Sequence, residues 1–97
     1  MILIIVNNSS ACEWIVFDYN KEILKTQTSP FRSKQLDIFN ISVLSYSVNN
    51  LYKLKEKIKL ILFYSEFIES SKYKPNLTFV FKDYFPNAKI QFDATLS

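Results

Sequence analysis

The sequence contains no glycine and no histidine, and Cys12 is its single cysteine. A chain of 97 residues with the usual glycine share would carry roughly seven glycines. Glycine is needed where a backbone takes positive φ or lies directly against a phosphate. Its absence excludes the Walker loop, the dinucleotide fingerprint and the glycine-rich kinase loop. Without histidine, the chain cannot form a Ser–His relay, a Cys–His pair or an ordinary zinc site.

Composition and charge predict one folded domain over residues 1–97. Hydrophobic residues make up 48% of the chain and charged residues 22%, values typical of globular rather than disordered proteins. Twelve Lys and Arg against nine Asp and Glu give a formal net charge of +3, and Arg32 is the only arginine. Because arginine reads bases and binds phosphates with paired hydrogen bonds, nucleic acid is not the expected partner.

Two features bear on the cellular location. The single Cys12 cannot form an internal disulfide, which favours a reducing, cytoplasmic compartment. The apolar residues 1–6 followed by Cys12 also resemble a bacterial lipoprotein signal, but no basic residue precedes them and such a signal has at least about seven apolar residues. We therefore favour a buried first strand. Because no apolar run approaches ~18 residues, we expect no membrane contact.

Three strands are predicted in the first third of the chain. Residues 2–6 form a continuous apolar, β-branched run, which indicates a strand covered on both faces. Residues 13–18 and 21–28 have strand composition, and polar turns at residues 7–10 and 19–20 separate the three segments. Connections this short predict an antiparallel meander.

Helical spacing follows in the middle of the chain, where apolar residues recur every three to four positions: Leu51, Leu54, Ile58 and Ile61. We expect this helix to be capped by Ser47 or Asn49 and to end near Lys57, because residues 60–64 form the apolar run of a buried fourth strand. The segment also carries a set of alternating lysines, namely Lys53, Lys55, Lys57 and Lys59. We interpret them as a solvated helix face; a basic patch for nucleic acid is the alternative.

The segment at residues 76–85 fits two structures. Residues 77–81 have strand composition, whereas four apolar residues of the segment lie on one helical stripe: Leu77, Val80, Phe81 and Tyr84. We favour a helix that is capped near Asn76 and stopped by Pro86, followed by a fifth strand at residues 89–92. The predicted order is β-β-β-α-β-α-β, an α/β fold with a mixed five-stranded sheet. This is the order of a ribonuclease H-like half-domain, the unit duplicated in actin-like ATPases.

Several stretches resemble the BadF/BadG/BcrA/BcrD-type ATPases and their bacterial N-acetylglucosamine kinase-like members. That family begins with a hydrophobic strand and Asp-x-Gly-x-Thr-Lys-Thr-Glu/Asp-Trp; residues 6–14 read Val-Asn-Asn-Ser-Ser-Ala-Cys-Glu-Trp in the same frame. Residues 29–31 (Ser-Pro-Phe) resemble its Asn-Pro-Phe, and residues 61–64 resemble the strand before its Tyr-Gly-Ala-Gly loop. Residues 85–90 read Phe-Pro-Asn-Ala-Lys-Ile, as that family does. The resemblance implies an actin-like ATPase half-domain.

The departures from that family fall on its functional positions. The family's aspartate at the end of the first strand, which organises Mg²⁺ and the attacking group, is replaced by Val6. The glycine of its first phosphate loop is Asn8, and the following Lys and Thr are Ala11 and Cys12. Because phosphoryl transfer depends on metal, positioning and oriented donors, we predict no kinase or ATPase activity and no bound cofactor or metal.

Little else of the family's nucleotide site remains. Ser9 and Ser10 are the only hydroxyls left in a vestigial phosphate loop. The Tyr-Gly-Ala-Gly loop has become Tyr-Ser-Glu-Phe at residues 64–67. The aspartate expected after the fifth strand falls at Thr95 in the ungapped frame, with Asp93 two residues away.

The leading hypothesis is a catalytically inactive, shortened relative of an actin-like sugar kinase, which acts as a binding or self-associating structural protein. A half-domain without its partner lobe would expose apolar surface, and self-association would cover it. Candidates for that surface are aromatic: Phe17, Tyr19, Phe31, Phe63 and Phe67. The alternative for each of them is a place in the core.

Two other hypotheses remain open at this point. A nuclease-like or nucleic-acid-binding protein on the same frame would need converging carboxylates, and the acids at hand are Glu13, Asp18, Glu66 and Asp93. Glu13 and Asp18 lie at opposite ends of one predicted strand and cannot converge. A residual nucleotide or sugar binder without turnover would use Ser9 and Ser10.

Overall fold

The computed structural model describes residues 1–65 and 73–93, without the side chain of Asp93. Its strands are β1 (Ile2–Asn7), β2 (Cys12–Asp18), β3 (Lys21–Thr28), β4 (Leu60–Ser65) and β5 (Lys89–Asp93). Its helices are α1 (Ser33–Asp37), α2 (Ile41–Ser47), a 3-10 helix (Asn49–Leu54) and α3 (Lys74–Tyr84). The five strands are those expected from the sequence, with ends that differ by at most one residue.

All five strands form one mixed sheet in the order β3-β2-β1-β4-β5. β1 pairs antiparallel with β2, and β2 pairs antiparallel with β3, which confirms the predicted meander. β4 lies parallel to β1 and to β5, and α3 provides the crossover that parallel neighbours require. β1 is therefore the central strand, and its carboxyl end lies beside that of β4, where Asn7 pairs with Ser65.

The turn between β2 and β3 is built from Tyr19 and Asn20, both at positive φ (50° and 66°). Two residues of positive φ give the turn whose twist matches that of a two-stranded hairpin. Asparagine tolerates this conformation, but a bulky side chain does so at a cost of about 1–2 kcal/mol. The hairpin thus places an unfavourable residue, Tyr19, at its tip, where the side chain is 96% exposed.

Replacing Tyr19 with asparagine is expected to raise the free energy of unfolding by about 1 kcal/mol, because asparagine adopts positive φ at lower cost. Urea denaturation at low protein concentration measures this effect. Tyr46→Asn is the matched control, since Tyr46 is 88% exposed on α2 and its exchange is expected to change stability by less than ~0.5 kcal/mol. A less stable Tyr19→Asn protein would show that the tyrosine stabilises the turn.

The described helices pack on one face of the sheet. Alternate residues of β1 (Leu3, Ile5) are fully buried and cluster with Leu44 of α2 and with Leu77 and Phe81 of α3. Neighbouring residues on the opposite face are only partly covered, and Ile2 is 37% exposed. The expectation that β1 is covered on both faces is therefore wrong for the described part of the chain.

The connection from β3 to β4 differs from the single helix expected. Asn40 caps α2, with Oδ1 accepting hydrogen bonds from the backbone N–H of Ser42 (3.0 Å) and Val43 (3.1 Å). The predicted caps are wrong: Ser47 is the last residue of α2 and Asn49 the first of the 3-10 helix. The helical spacing at Leu51 arises from this 3-10 helix, which ends at Leu54, and from turns that follow it.

Three of the four lysines of that connection are exposed, as expected, but the four do not share a helix face. Lys53, Lys57 and Lys59 are exposed. Lys55 is half-buried, and its Nζ lies 4.6 Å from the ring centroid of Tyr52 and 5.5 Å from that of Tyr84. These cation–π contacts give the ammonium group of Lys55 aromatic partners within the protein, so its position needs no bound ligand to explain it.

α3 confirms the helical interpretation of residues 76–85, with its predicted stripe buried against the sheet. It begins at Lys74, two residues before the expected cap, with Pro75 in its first turn. The predicted cap at Asn76 is therefore wrong. Asn76 lies inside the helix and its Nδ2 donates a hydrogen bond to the backbone oxygen of Phe39 (2.8 Å), which ties α3 to the segment before α2.

The five aromatic candidates for an exposed surface separate into different environments. Phe31 and Phe63 belong to the core, with 9% and 2% exposure, so the surface prediction is wrong for both. Phe17 is half-buried on the partly covered sheet face, and Tyr19 is almost fully exposed. Phe67 lies outside the described residues.

Candidate functional site

The vestigial phosphate loop connects the carboxyl end of β1 to the start of β2. It consists of residues 8–11 and is closed by a hydrogen bond from the backbone N–H of Asn8 to the backbone oxygen of Ala11 (3.0 Å). Because the carboxyl ends of β1 and β4 lie side by side, this loop is at the sheet edge where a ligand of an open α/β sheet would bind. The geometry of this loop therefore shows whether the groups that would bind a phosphate are still available.

The Asn8 side chain occupies the donors of this loop. Its Oδ1 accepts hydrogen bonds from the backbone N–H of Ser10 (3.0 Å), the Ser10 hydroxyl (2.9 Å) and the backbone N–H of Ala11 (3.0 Å). Backbone N–H groups of such a loop are what a phosphate oxygen requires. Here a side chain of the protein holds them, in the position where the resembling family has glycine.

The other predicted loop residues lie at the protein surface. Ser9 and Ser10 are exposed, and the guanidinium Nη2 of Arg32 donates to the backbone oxygen of Ser9 (3.4 Å). Val6 is half-buried on the partly covered face, opposite to Asn7. The structure thus brings Ser9, Ser10 and Asn8 together in one loop, and the last residues of β1 itself, Val6 and Asn7, carry no carboxylate.

Asn7, which the sequence places only in a turn, is a buried polar residue of this edge, as is Ser65. The Asn7 side chain is 1% exposed. Nδ2 donates to the backbone oxygen of Phe31 (2.8 Å) and to the Ser65 hydroxyl (3.1 Å), while Oδ1 accepts from the backbone N–H of Phe31 (2.9 Å). These bonds clamp the segment after β3 and the end of β4 to β1. Asn7 therefore has a structural role.

Cys12 stands where the resembling family has threonine; it is buried and forms no disulfide. Burial raises the pKa of its thiol to about 12, although a hydrogen bond with Thr28 opposes this shift. The thiolate is the nucleophilic form of cysteine. Cys12 is therefore a core residue and not a reactive one at neutral pH.

Among the acids that the structure describes, no side chains converge at this edge. Glu13 and Asp18 lie near opposite ends of β2, and Glu13 Oε2 is 4.0 Å from Lys25 Nζ, both partly exposed. Glu66 lies outside the described residues, as does the side chain of Asp93. Within residues 1–65 and 73–93, no three His, Cys, Asp or Glu side chains come close enough to hold a metal ion.

The chain forms an α/β domain with a mixed five-stranded sheet, and this fold has a counterpart among solved structures. A crystal structure of a candidate N-acetylglucosamine kinase from Porphyromonas gingivalis matches it with a TM-score of 0.71 at 20% sequence identity, over 97% of this chain and 34% of that protein. This chain thus spans about a third of that protein's length. No family model and no curated protein matches the chain. At this identity the likeness shows a shared fold, which agrees with the α/β fold that the sequence resemblance implied.

Among the described residues, no helix is both long and apolar enough to cross a membrane.

Proposed function

We propose that this chain is a catalytically inactive half-domain relative of an actin-like sugar kinase or ATPase, on a ribonuclease H-like frame, and that it acts as a binding and self-associating structural protein. The observation that carries the proposal is the Asn8 side chain, which accepts the hydrogen bonds of the phosphate loop. A nucleotide phosphate would have to displace this carboxamide from Ser10 and Ala11 before it could bind.

The end of β1 supports the same conclusion. Phosphoryl transfer requires a metal ion, an aligned acceptor and oriented donors. The strand ends in Val6, which cannot ligate Mg²⁺, and in Asn7, whose side-chain amide makes three hydrogen bonds to Phe31 and Ser65. The buried Cys12 fits a reducing, cytoplasmic location, which is part of the proposal.

Thermal unfolding with and without ATP–Mg²⁺ and N-acetylglucosamine tests the absence of a nucleotide site. A ligand at a hundred times its Kd would stabilise the folded state by about 2.7 kcal/mol, and we expect no measurable shift with either ligand at millimolar concentration. Asn8→Ala, which frees the loop amides, serves as the comparison protein. A saturable shift in the unaltered protein would overturn the proposed inactivity and favour a residual nucleotide or sugar binder.

The same preparation can be tested with single-stranded and double-stranded nucleic acid. We expect no binding at physiological salt, because the described acids do not converge and Arg32 is the only arginine. Binding whose affinity falls steeply with salt would report several phosphate contacts and favour a nucleic-acid-binding protein instead.

A further inference from the structure

One face of the sheet, here called the open face, is not covered by any helix within residues 1–65 and 73–93. Its central part is apolar and consists of Ile2, Ile4, Val6, Ile15, Phe17, Leu60, Leu62 and Tyr64. Each of these residues is partly exposed, whereas their neighbours on the other face are buried. Contiguous apolar surface of this kind marks an interaction site more often than a free surface.

The open face has a concave region at the end where the β2–β3 hairpin turns. This groove has a volume of about 590 Å³, within the range of protein binding pockets. Its apolar lining comes from Met1, Ile2, Ile4, Phe17 and Leu62, and the residues at the β2–β3 turn, Asp18, Tyr19 and Asn20, also line it. An exposed aromatic ring thus lies directly beside an apolar groove.

The backbone at Tyr19 strengthens the case for a role outside the monomer. This residue has φ of 50°, a conformation that disfavours a bulky side chain, and its ring is 96% exposed and gains almost no burial. Residues held in unfavourable backbone conformations are concentrated at functional sites. Burial of the ring against a partner would compensate for the conformation of the turn.

We propose that a second copy of this chain docks on the open face about a two-fold axis, with the Tyr19 ring of each copy packed in the groove of the other. This proposal rests on the self-association part of the proposed function and names its surface. A two-fold contact needs a patch that is complementary to itself. The open face meets that condition because it carries both the projecting ring of Tyr19 and the groove that would receive it.

The charge distribution of the chain and the area of the open face both fit a contact between two copies. Residues 1–31, which supply three of the five strands, carry two lysines and three acidic residues, whereas the rest of the chain carries ten basic and six acidic ones. Two copies that meet through β1, β2 and β3 therefore bring together the less basic part of each chain. Five strands at the usual spacing between neighbours, each about six residues long at the usual rise per residue, form a face of about 24 by 20 Å. This is an area of ~500 Å² per copy. Two such faces reach the ~1,000 Å² expected of a specific interface, with the hairpin tips in addition.

Sedimentation equilibrium over a range from micromolar to near-millimolar protein tests the proposal. We expect a monomer–dimer equilibrium in the unaltered protein, and a dissociation constant at least tenfold higher for Tyr19→Asn. Because this variant should be the more stable monomer, a loss of dimer cannot be attributed to unfolding. Tyr46→Asn, which removes an equally exposed ring on the helical side, is expected to leave the dissociation constant unchanged.

Methyl chemical shifts locate the contact. With increasing concentration, the methyl signals of Ile2, Ile4 and Leu62 should shift, while those of Ile38 and Val43 on the helical side should not. A protein that stays monomeric throughout overturns the proposal and leaves the open face to a different partner. A dimer that shifts the helical-side methyls, or that Tyr46→Asn weakens as much as Tyr19→Asn, also overturns it. None of these results bears on nucleotide binding, so the test of inactivity stands separately.

Discussion

Replacing Phe81 with alanine is expected to lower the free energy of unfolding by about 4 kcal/mol. Phe81 lies on α3 and is fully buried. Its ring centroid is 5.9 Å from that of Phe39, 6.0 Å from that of Phe63 and 6.5 Å from that of Trp14. These partners belong to the segment before α2, to β4 and to β2, so one ring joins three separate parts of the chain. Its loss leaves a cavity that no single element can close.

Thermal unfolding measures the effect, and a decrease in Tm of about 20 °C is expected for a domain of this size. Phe79→Ala is the matched control, because Phe79 lies on the same helix but is 73% exposed. Its exchange should change stability by less than ~0.5 kcal/mol. Equal effects of the two substitutions would show that helix propensity, and not packing at the centre of the core, determines the stability of α3.

The five strands could be predicted because each has its own hydrophobic pattern in the sequence. The apolar run of β1 and the paired runs of β2 and β3 are separated by turns too short for anything but antiparallel neighbours. The positive φ of Asn20 agrees with the preference of asparagine for hairpin turns. What the pattern could not show is that β1 packs against helices on one face only, since both faces carry the same apolar residue types.

The helical connection was not predictable in the same way. α1 and α2 have five and seven residues, and each buries a single leucine, Leu36 or Leu44. One buried residue cannot produce a periodic stripe, so these helices leave no trace in the hydrophobic pattern. The start of α2 could have been predicted from Asn40, because asparagine is a preferred N-cap residue and its side chain caps α2 in the structure. The spacing of Leu51 and Leu54 was read as an α-helix, although it also fits one turn of 3-10 helix.

In the loop at residues 8–11, the sequence shows that asparagine stands in place of glycine, but it does not show what the asparagine side chain does in the structure. The sequence places Asn8 where the resembling family has glycine, and from this one expects only the loss of close backbone approach. In the structure, the Asn8 carboxamide also binds the donors that the loop would offer to a phosphate. A local hydrogen bond from a side chain to its own loop depends on the turn geometry, and residue identity alone does not reveal it.

Replacing Asn7 with alanine is the second change with a large expected effect, a decrease of about 3 kcal/mol in the free energy of unfolding. The substitution removes three hydrogen bonds from a site that is almost without solvent contact. The backbone N–H and oxygen of Phe31 would lose their Asn7 partners, and each buried group left without a partner costs about 1–3 kcal/mol. Urea denaturation measures the loss, with Asn50→Ala on the exposed 3-10 helix as control.

Asn7→Asp tests whether the end of β1 requires an amide or tolerates a carboxylate at this buried position. An ionised carboxylate has no N–H to donate, and it would place a charged oxygen where Nδ2 now lies 2.8 Å from the backbone oxygen of Phe31. We therefore expect Asn7→Asp to be at least as destabilising at neutral pH as Asn7→Ala, because a buried charge without donors is strongly penalised. A variant as stable as the unaltered protein would mean that this edge of the sheet still accepts a carboxylate. The expected loss would instead show that the strand end is committed to holding β1, β4 and the segment after β3 together.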